Sequence, residues 1–518
     1  SVSIDDDTPV ANVTVTAGTV LDDEATRPTT GNAGGTDDVD DATTVTGDAG
    51  ALFSAGADGV KSVSINGGAF QVIHTVGGLA QTESVTWSAG TPGAGGVTTF
   101  TATGATSGQP AATLVIKADG SYSFELSAPV AHPTSGTSEE NTTISIGFTV
   151  TDGDGDKASG TLNVAVNDDT PVAHEVVASR VLDDEAQSEF TPTNSGSNSW
   201  FDYSDTNPNY KSVTGTAGTL FTAGADGMKS VSIDGPEFTV VYMDGEGFAR
   251  TETVAWGEGV VAGDGSTTFT ATSGNYPLGE GGAATLVISA DGSYVFTLNA
   301  PLAHSDSSSF IEENETLSFG FTVTDGDNDT ASGSLAISVD DDTPEPVVGF
   351  TRATGLDDEA QELFTPTNPG SGWTDESADL KMVSGGPGTL FSMGADGLAA
   401  LEVELQSFDV IAETGGFATS ETVEWSAGVR SEGGVTTYTA TSSSYPDGAA
   451  VLIIRADGSY EFKMNAPVAH GASFIGENNA ELLFGYVVTD GDGDKASGVL
   501  SVSIDDDTPV ANVTVTAG

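Results

Sequence analysis

Apolar and polar residues alternate with period two over much of this chain. The clearest runs are Ile144/Ile146/Phe148/Val150 and Leu162/Val164/Val166, which return as Leu317/Phe319/Phe321/Val323 with Leu335/Ile337/Val339. Successive side chains of a strand point to opposite faces, so this pattern predicts strands with one buried and one wet face. Shorter runs add Val63/Ile65, Val231/Ile233 and Leu401/Val403/Leu405, and the segments ending in Trp87, Trp256 and Trp425. Thr-Thr-Phe-Thr-Ala-Thr at 98–103 and 267–272, with a Tyr version at 436–441, reads as a further strand. Ala-Asp-Gly-Ser-Tyr at 118–122, 290–294 and 456–460 is a hairpin turn, joining Leu114/Ile116 to Tyr122/Phe124/Leu126 in the first copy. Period-two burial with regular turns predicts an all-β chain of tandem Ig-like β-sandwiches.

The chain also repeats on a longer scale. Residues 1–18 are identical to residues 501–518, so one 500-residue period is present with the start of another. Within it, Asp-Asp-Thr-Pro recurs with its first Asp at 6, 168, 341 and 506, giving sub-periods of 162, 173 and 165 residues. These lengths suit whole domains strung in series rather than solenoid turns. The expected units are 8–169, 170–342 and 343–507, with 1–7 closing a preceding repeat and 508–518 opening a following one. Ser1 falls inside a motif, so the sequence reads as a piece of something longer. Each unit opens with Thr-Pro and an extended segment ending in Leu-Asp-Asp-Glu-Ala (Leu21, Leu182, Leu356), followed by a variable insert (26–46, 187–214, 361–384). The copies realign at Leu-Phe-x-x-Gly-Ala-Asp-Gly, beginning at Leu52, Leu220 and Leu390.

Charge changes the picture. Asp plus Glu number 76 against 14 Lys plus Arg, a net charge of −62. Such a chain does not neutralise phosphates, which excludes nucleic acid as a partner and makes an anionic membrane surface unattractive. No run approaches the ~20 apolar residues of a spanning helix, so no membrane insertion is expected. With 37% hydrophobic residues in alternation the chain can bury cores, and its acids must therefore be clustered on folded protein. There is no cysteine, hence no disulfide staple and no thiolate metal site.

The acids follow a plan. An acidic turn, a strand and an acidic joint close each unit: Asp152, Asp154 and Asp156 run to Asp168 and Asp169; Asp325, Asp327 and Asp329 run to Asp340, Asp341 and Asp342; Asp490, Asp492 and Asp494 run to Asp505, Asp506 and Asp507. The turn resembles half an EF-hand loop, but the loop's sixth position is Lys157 where Gly is needed and its twelfth is Asn163 where Glu is needed. Ligands must therefore come from elsewhere. A closing strand of about eight residues spans roughly 26 Å, which puts turn and joint at opposite ends of their own unit. The turn then faces the joint of the unit before. Glu139 and Glu140, Glu312 and Glu313, and Glu477 begin the preceding strand at the bottom, and the opening segment carries its own acidic triplet there.

The first boundary should thus gather Asp22, Asp23, Glu24, Glu139, Glu140, Asp168 and Asp169 with Asp325, Asp327 and Asp329 from above. The second should gather Asp183, Asp184, Glu185, Glu312, Glu313 and Asp340–Asp342 with Asp490, Asp492 and Asp494. Asp5, Asp6 and Asp7 with Asp152, Asp154 and Asp156 form the half-set at one end of the array. Asp357, Asp358, Glu359, Glu477 and Asp505–Asp507 form the half-set at the other. Carboxylates about 5 Å apart repel by roughly 3 kcal/mol per pair at an effective dielectric near 20. A cation resolves this, and multidentate oxygen clusters suit Ca²⁺ better than Mg²⁺ or Zn²⁺. For a single Ala-Asp-Gly turn (Asp58, Asp119, Asp226, Asp291, Asp396, Asp457), ordinary solvated turn chemistry is the expectation.

These closing segments, Glu-Glu-Asn through Thr-Asp-Gly-Asp-Gly-Asp-Lys-Ala-Ser-Gly to Asp-Asp-Thr-Pro-Val, resemble the tandem extender repeats of type I-secreted giant RTX-type bacterial adhesins. The Ala-Asp-Gly-Ser-Tyr-x-Phe hairpin is similar to VCBS-type repeats, and the layout of acids resembles cadherin joints. The resemblance is specific in the closing 40 or so residues of each unit and weak in the inserts. It implies Ig-like domains, calcium at the joints, type I export, and an extracellular rod at a bacterial surface that holds a distal adhesive domain away from the cell. No Gly-Gly-x-Gly-x-Asp nonapeptide array, export signal or anchoring region occurs in the sequence, so secretion and anchoring are expected to lie in other segments.

Other chemistries fit less well. His132, His304 and His470 recur after Ala-Pro-x-Ala without a Ser or Cys nucleophile motif, and read as structural residues at a strand end. Paired carboxylates in polar turns lack the apolar cleft a glycosidase acid requires. No enzyme activity is expected. Trp200, Phe201, Tyr203, Tyr210 and Trp373 in the inserts are suited to anchoring long loops, and less to stacking on a glycan. The second functional reading is a repeat unit of a self-associating extracellular filament or surface layer, with lateral association through bridging calcium.

Overall fold

The closing hairpin of the first unit pairs Thr142–Asp152 with Lys157–Asn167, Ile146 lying opposite Leu162 and Ile144 opposite Val164. Ile144, Ile146, Phe148 and Val150 are buried, as are Leu162, Val164 and Val166. In the computed structural model, which describes residues 7–27, 41–133, 136, 141–187, 210–305, 315–347, 349–361, 363–364, 380–471 and 479–506, the same hairpin recurs at Glu315–Asp325 with Thr330–Asp340 and at Ala480–Asp490 with Lys495–Asp505. Each closing strand has eleven residues rather than eight, about 36 Å of chain. The added length comes from within Lys157-Ala-Ser-Gly160, a stretch that reads as turn but pairs with Phe148 to Thr151.

Around each hairpin the chain folds into two sheets. In the first unit one sheet runs opening strand, closing strand, Thr142–Asp152, Val60–Gly67. The opening segment lies parallel to the closing strand, Thr14–Thr16 beside Thr161–Asn163 and Leu21–Asp22 beside Val166–Asn167. This parallel register delivers the acidic triplet to the bottom of the closing strand. The facing sheet orders Thr44–Gly47, Tyr122–Leu126, Pro110–Lys117, Val97–Gly104, Leu79–Trp87 and Gln71–Val76, and the other two units repeat the plan. The chain is all-β, in repeated sandwich-like sheets. The edge strands Thr44–Gly47, Ser212–Gly215 and Met382–Gly385 lie at the ends of the variable inserts. Each buries one apolar residue (Val45, Val213, Val383), too short a run to show alternation.

Trp256 packs edge-on against Phe319 at 5.2 Å, and Trp425 against Phe484 at 5.7 Å. Tyr210 packs on the core of the second unit under the Arg180 guanidinium, 4.4 Å from its ring centroid. Trp200, Phe201, Tyr203 and Trp373 lie outside the described residues.

One hairpin leaves its sheet. Val97–Gly104 pairs with Leu79–Trp87 only at Val85, Thr86 and Trp87, so the hairpin of Gln71–Val76 and Leu79–Trp87 projects beyond its neighbour. Ile73 N–H donates to Pro129 C=O at 3.0 Å, bracing its base. Gly77 and Gly78 make the tight turn at its tip with φ of 57° and 82°, which L side chains resist. Phe238–Met243 with Ala249–Trp256, and Phe408–Thr414 with Phe417–Trp425, are the corresponding fingers of the later units.

Candidate metal centres at the seams

The acidic turn is built by its own first residue. Asp152 Oδ1 accepts the Gly155 and Asp156 N–H groups at 3.0 and 2.8 Å, and Asp325 and Asp490 do the same in their turns. The fourth turn residue has positive φ: Gly155 at 117°, Gly493 at 122° and Asn328 at 96°, Asn being the side chain best suited to replace glycine there. At the other end of each sandwich a short 3₁₀ turn follows the opening strand, and Asp22, Asp183 and Asp357 accept the N–H of Glu24, Glu185 and Glu359. Asp23, Asp184 and Asp358 accept the N–H of Val130, Leu302 and Val468 at 2.9, 2.9 and 3.0 Å.

Units meet where these ends face each other. At the first seam, Asp327 Oδ2 of the second unit accepts the His132 N–H at 2.8 Å, and Asp329 accepts that of Gly136. In return Asp169 of the joint accepts the N–H of Ala225 in the next unit. The second seam repeats this, with Asp492 Oδ2 accepting from His304 N at 3.0 Å and Asp342 from Ala395 N. Gly-Ala-Asp-Gly thereby gains a reason: a Cβ on Gly224 would lie 2.8 Å from the Asp169 carboxylate, and one on Gly394 2.5 Å from that of Asp342. Beneath the acidic turns sit apolar residues of the unit before. A Cβ on Gly326 would meet Ile73 at 2.8 Å, and one on Gly491 would meet Val241 at 2.4 Å.

Of the residues expected at the first seam, Asp22, Asp23, Glu24, Asp168, Asp169, Asp325, Asp327 and Asp329 are all buried. At the second, Asp183, Asp184, Glu185, Asp340, Asp341, Asp342, Asp490 and Asp494 are buried and Asp492 is half-buried. Glu139, Glu140, Glu312, Glu313, Glu477, Asp5, Asp6 and Asp507 lie outside the described residues. At the open top of the first unit Asp7 accepts the Ala57 N–H at 2.6 Å, and Asp152 and Asp154 group with Asp58. Asp156 is half-buried in the same turn. At the open bottom of the third unit, Asp358 and Asp506 group with His470. Asp357, Glu359 and Asp505 stand with them at that end of the closing strand, Asp357 paired in register with Asp505.

Two classes of residue correct the sequence reading. Asp226 and Asp396, expected as solvated turn acids, are fully buried in the seams, and neither oxygen of either accepts a hydrogen bond. Their Gly-Ala-Asp-Gly loop is pressed into the seam by the joint of the unit before. The histidines are not bland strand-end residues either. His132 Nδ1 lies 3.1 Å from Asp168 and 3.8 Å from both Asp23 and Asp327; His304 Nδ1 lies 3.1 Å from Asp341. The clusters are therefore not oxygen-only. Their recurrence after Ala-Pro-x-Ala was visible, but nothing local tied that loop to the joint. Asp41, beside Asp22 and Glu24, and Arg27 were also missed.

The electrostatics are severe. Burial, with Asp327 and Asp329 adding repulsion, lifts the Asp325 carboxyl to about 9. Burial lifts Asp494 to about 8, helped by Asp492 and Asp341. Burial also drives Asp23, Asp226, Asp184 and Asp396 well above the carboxylate range. Burial alone depresses the His132 imidazole, but Asp168 and Asp23 outweigh it and raise it to about 9. One histidine does not balance such a set. Asp23 Oδ1, Asp327 Oδ1 and both Asp226 oxygens are buried without a hydrogen bond, as are Asp184 Oδ1, Asp492 Oδ1 and both Asp396 oxygens. Unmade bonds on buried carboxylates are costly, and a hard divalent cation taking about six to eight oxygen ligands satisfies them. The residues fit such an ion.

No protein-family model matches the chain, and no curated protein matches it. Solved structures do. Mouse cadherin-23 repeats EC22-24 align at 10% identity over 96% of this chain and 99% of that one, with a TM-score of 0.23. A tetra-tandem repeat in the extending region of a large adhesion protein aligns at 13% identity over 85% and 74%, with a TM-score of 0.20. Mouse clustered protocadherin PcdhgC3 EC1-3 aligns at 9% identity over 76% and 85%, with a TM-score of 0.22.

Proposed function

We propose that this chain is a structural extender: tandem β-sandwiches whose seams bind Ca²⁺ and so stiffen into a rod that spaces a distal adhesive domain from a bacterial surface. The observation that carries the reading is the set of buried, unbonded carboxylate oxygens recurring at both seams on Asp23, Asp226 and Asp327 and on Asp184, Asp396 and Asp492. A bound ion supplies positive charge where units abut. This chain's residues supply the rest: the joint and 3₁₀ turn present carboxylates from below, the acidic turn and Asp226 or Asp396 from above, and the finger hairpin fixes rotation. Extracellular calcium modules commonly bind at ~10⁻⁴ to 10⁻³ M, so the rod is loose in calcium-poor cytoplasm and stiff outside.

Small-angle scattering with and without EGTA tests this. Calcium should lengthen the maximum dimension and sharpen its distribution. An unchanged profile would end the proposal. Zn²⁺ in place of Ca²⁺ separates a histidine-led site from an oxygen-led one, since softer ions recruit imidazole.

A further inference from the structure

Each seam carries one imidazole among its carboxylates, and the fold dictates which nitrogen faces them. His132 Nε2 lies 3.2 Å from the Val166 carbonyl, and His304 Nε2 lies 3.3 Å from that of Val339. A carbonyl only accepts, so Nε2 carries a proton and donates it. Nδ1 is thereby turned to the acids. For His132 it stands 3.1 Å from Asp168 and 3.8 Å from both Asp23 and Asp327. For His304 the distances are 3.1 Å to Asp341, 3.7 Å to Asp184 and 4.0 Å to Asp492. The two histidine side chains are 1% and 4% exposed.

A proton on Nδ1 is poorly served there. Among the described residues neither Nδ1 makes a hydrogen bond, although a carboxylate oxygen stands at 3.1 Å, so that oxygen is off the line a ring N–H takes. Calcium is no better served, because it takes oxygen ligands and leaves the imidazole unused. The carboxylates are also half-used. Asp23 Oδ2 accepts the Val130 N–H and Asp327 Oδ2 that of His132 itself, while Oδ1 of each is buried without a hydrogen bond. Asp184 and Asp492 repeat this with Leu302 and His304. Three carboxylates and one imidazole nitrogen converging in a buried space form a four-donor set for a borderline-soft divalent ion. Tetrahedral ligands on bonds of about 2.0–2.1 Å stand about 3.4 Å from one another. The Nδ1-to-oxygen distances, from 3.1 to 4.0 Å, bracket that spacing. The Nε2–H bond to a backbone carbonyl is the outer contact that orients a metal-bound histidine. The acids that favour a proton on this ring favour such an ion in its place, and binding releases the proton.

We infer that each seam has a second cation site, of the Zn²⁺ type, made by His132 Nδ1, Asp23, Asp168 and Asp327 at the first and by His304 Nδ1, Asp184, Asp341 and Asp492 at the second. Three ligands belong to the unit below and one to the unit above, so the ion pins two units together. Asp226 and Asp325, or Asp396 and Asp490, stay with the hard ion. A seam so equipped keeps a clamp when calcium falls. The inference goes beyond the calcium reading in both ion and ligand, and shares with it only the carboxylates of the seam.

The chain has five histidines, so their ring nitrogens can be followed one by one. The full 518-residue protein, labelled with ¹⁵N-histidine and held in millimolar calcium, is titrated with Zn²⁺ to one equivalent per seam. The Nδ1 resonances of His132 and His304 should move to the metal-bound position with Nε2 still protonated, while His74 and His174, outside both sets, stay in place. His132→Gln should weaken Zn²⁺ uptake at the first seam by roughly a hundredfold or more, since even an outer partner of a metal ligand is worth about 10- to 100-fold. Unmoved Nδ1 resonances in the unaltered protein, or a Zn²⁺ affinity indifferent to both His132→Gln and His304→Gln, overturn the inference. Small-angle scattering of the same samples separates the two readings. Calcium-dependent lengthening with unmoved resonances strikes out the zinc site alone; zinc uptake with a profile indifferent to calcium supports the zinc site and ends the extender reading.

Discussion

Asp152 and Asp325 hold the same first place in the same acidic turn, and their carboxyls are driven in opposite directions. In the open turn, burial pushes Asp152 up, but N–H bonds from Gly155 and Asp156 win and hold it below the usual range. In the covered turn the same bonds are made, yet burial and the neighbouring Asp327 and Asp329 lift Asp325 to about 9. The difference is the unit on top. Abutting two sandwiches creates the electrostatic problem that a cation solves.

That contrast fixes a pH dependence. Asp325, Asp494 and Asp329, the last lifted by burial and Asp168 to about 7, have folded pKa values above their unfolded values near 4. Such groups contribute stability below about pH 4 and lose it as pH rises through about 7 to 9. His132 at about 9, and His304, lifted past its burial penalty to about 10 by Asp341 and Asp184, act in the same sense above pH 6.5. In EDTA the melting temperature should therefore fall between pH 5 and pH 8.5. In calcium, which binds the ionised form, the trend should flatten or reverse. Calorimetry at matched ionic strength checks both arms; parallel curves would contradict the mechanism.

Asp226→Asn should change sign with the cation. A buried carboxylate without hydrogen bonds costs more than an amide, so the variant should be the more stable protein in EDTA at pH 8. With calcium bound the lost ligand should weaken affinity and lower the melting temperature, by about 2–4 °C for each kcal/mol removed in domains of this size. The check is a pair of melting curves, with and without EDTA. A variant that is destabilised equally in both would make Asp226 a packing residue only.

The fold was legible because burial has period two in the closing hairpins, and Ile144 to Val150 or Leu317 to Val323 admit no other element. So was the facing of turn and joint, since chain direction and strand length put Asp327 over Asp168. Asp226 and His132 were not legible for a different reason. Their loops are local turns by composition, and only the packing of two units brings Val130–His132 under Asp327 and presses Ala225 against Asp169. The fingers were missed because Phe248 and Phe417 look alike in sequence, one buried and the other bare.

Phe248→Ala and Phe417→Ala should therefore diverge. Truncating a fully buried Phe typically costs about 3–5 kcal/mol, and this one belongs to the third unit's core although the second supplies it. Phe248→Ala should lower the third unit's stability and broaden the scattering profile even in calcium. Phe417→Ala should fall within about 0.5 kcal/mol of wild type, as an exposed substitution. Equal effects would mean the finger is merely part of its own sandwich.

The two seams should also differ in how much they need calcium. The first has a neutral amide, Asn167, where the second has the carboxylate of Asp340. It also contains Arg27, whose Nη2 donates to the Ile73 carbonyl at 3.3 Å. Burial depresses that guanidinium while Asp226 and Asp23 hold it up, which places an internal cation against the residues that most lack a partner. Where Arg27 neutralises part of the set, the bound ion has less to do and meets a competing charge. Dye pairs placed across each seam of this cysteine-free chain should show the second seam loosening first as calcium is withdrawn. Arg27→Gln should then tighten calcium binding at the first seam by roughly tenfold or more, because a unit charge a few ångströms away is removed. The same variant should destabilise that seam in EDTA. If the titration of the first seam does not move, Arg27 lies outside the ion's field and serves only to tie the 3₁₀ turn to the finger.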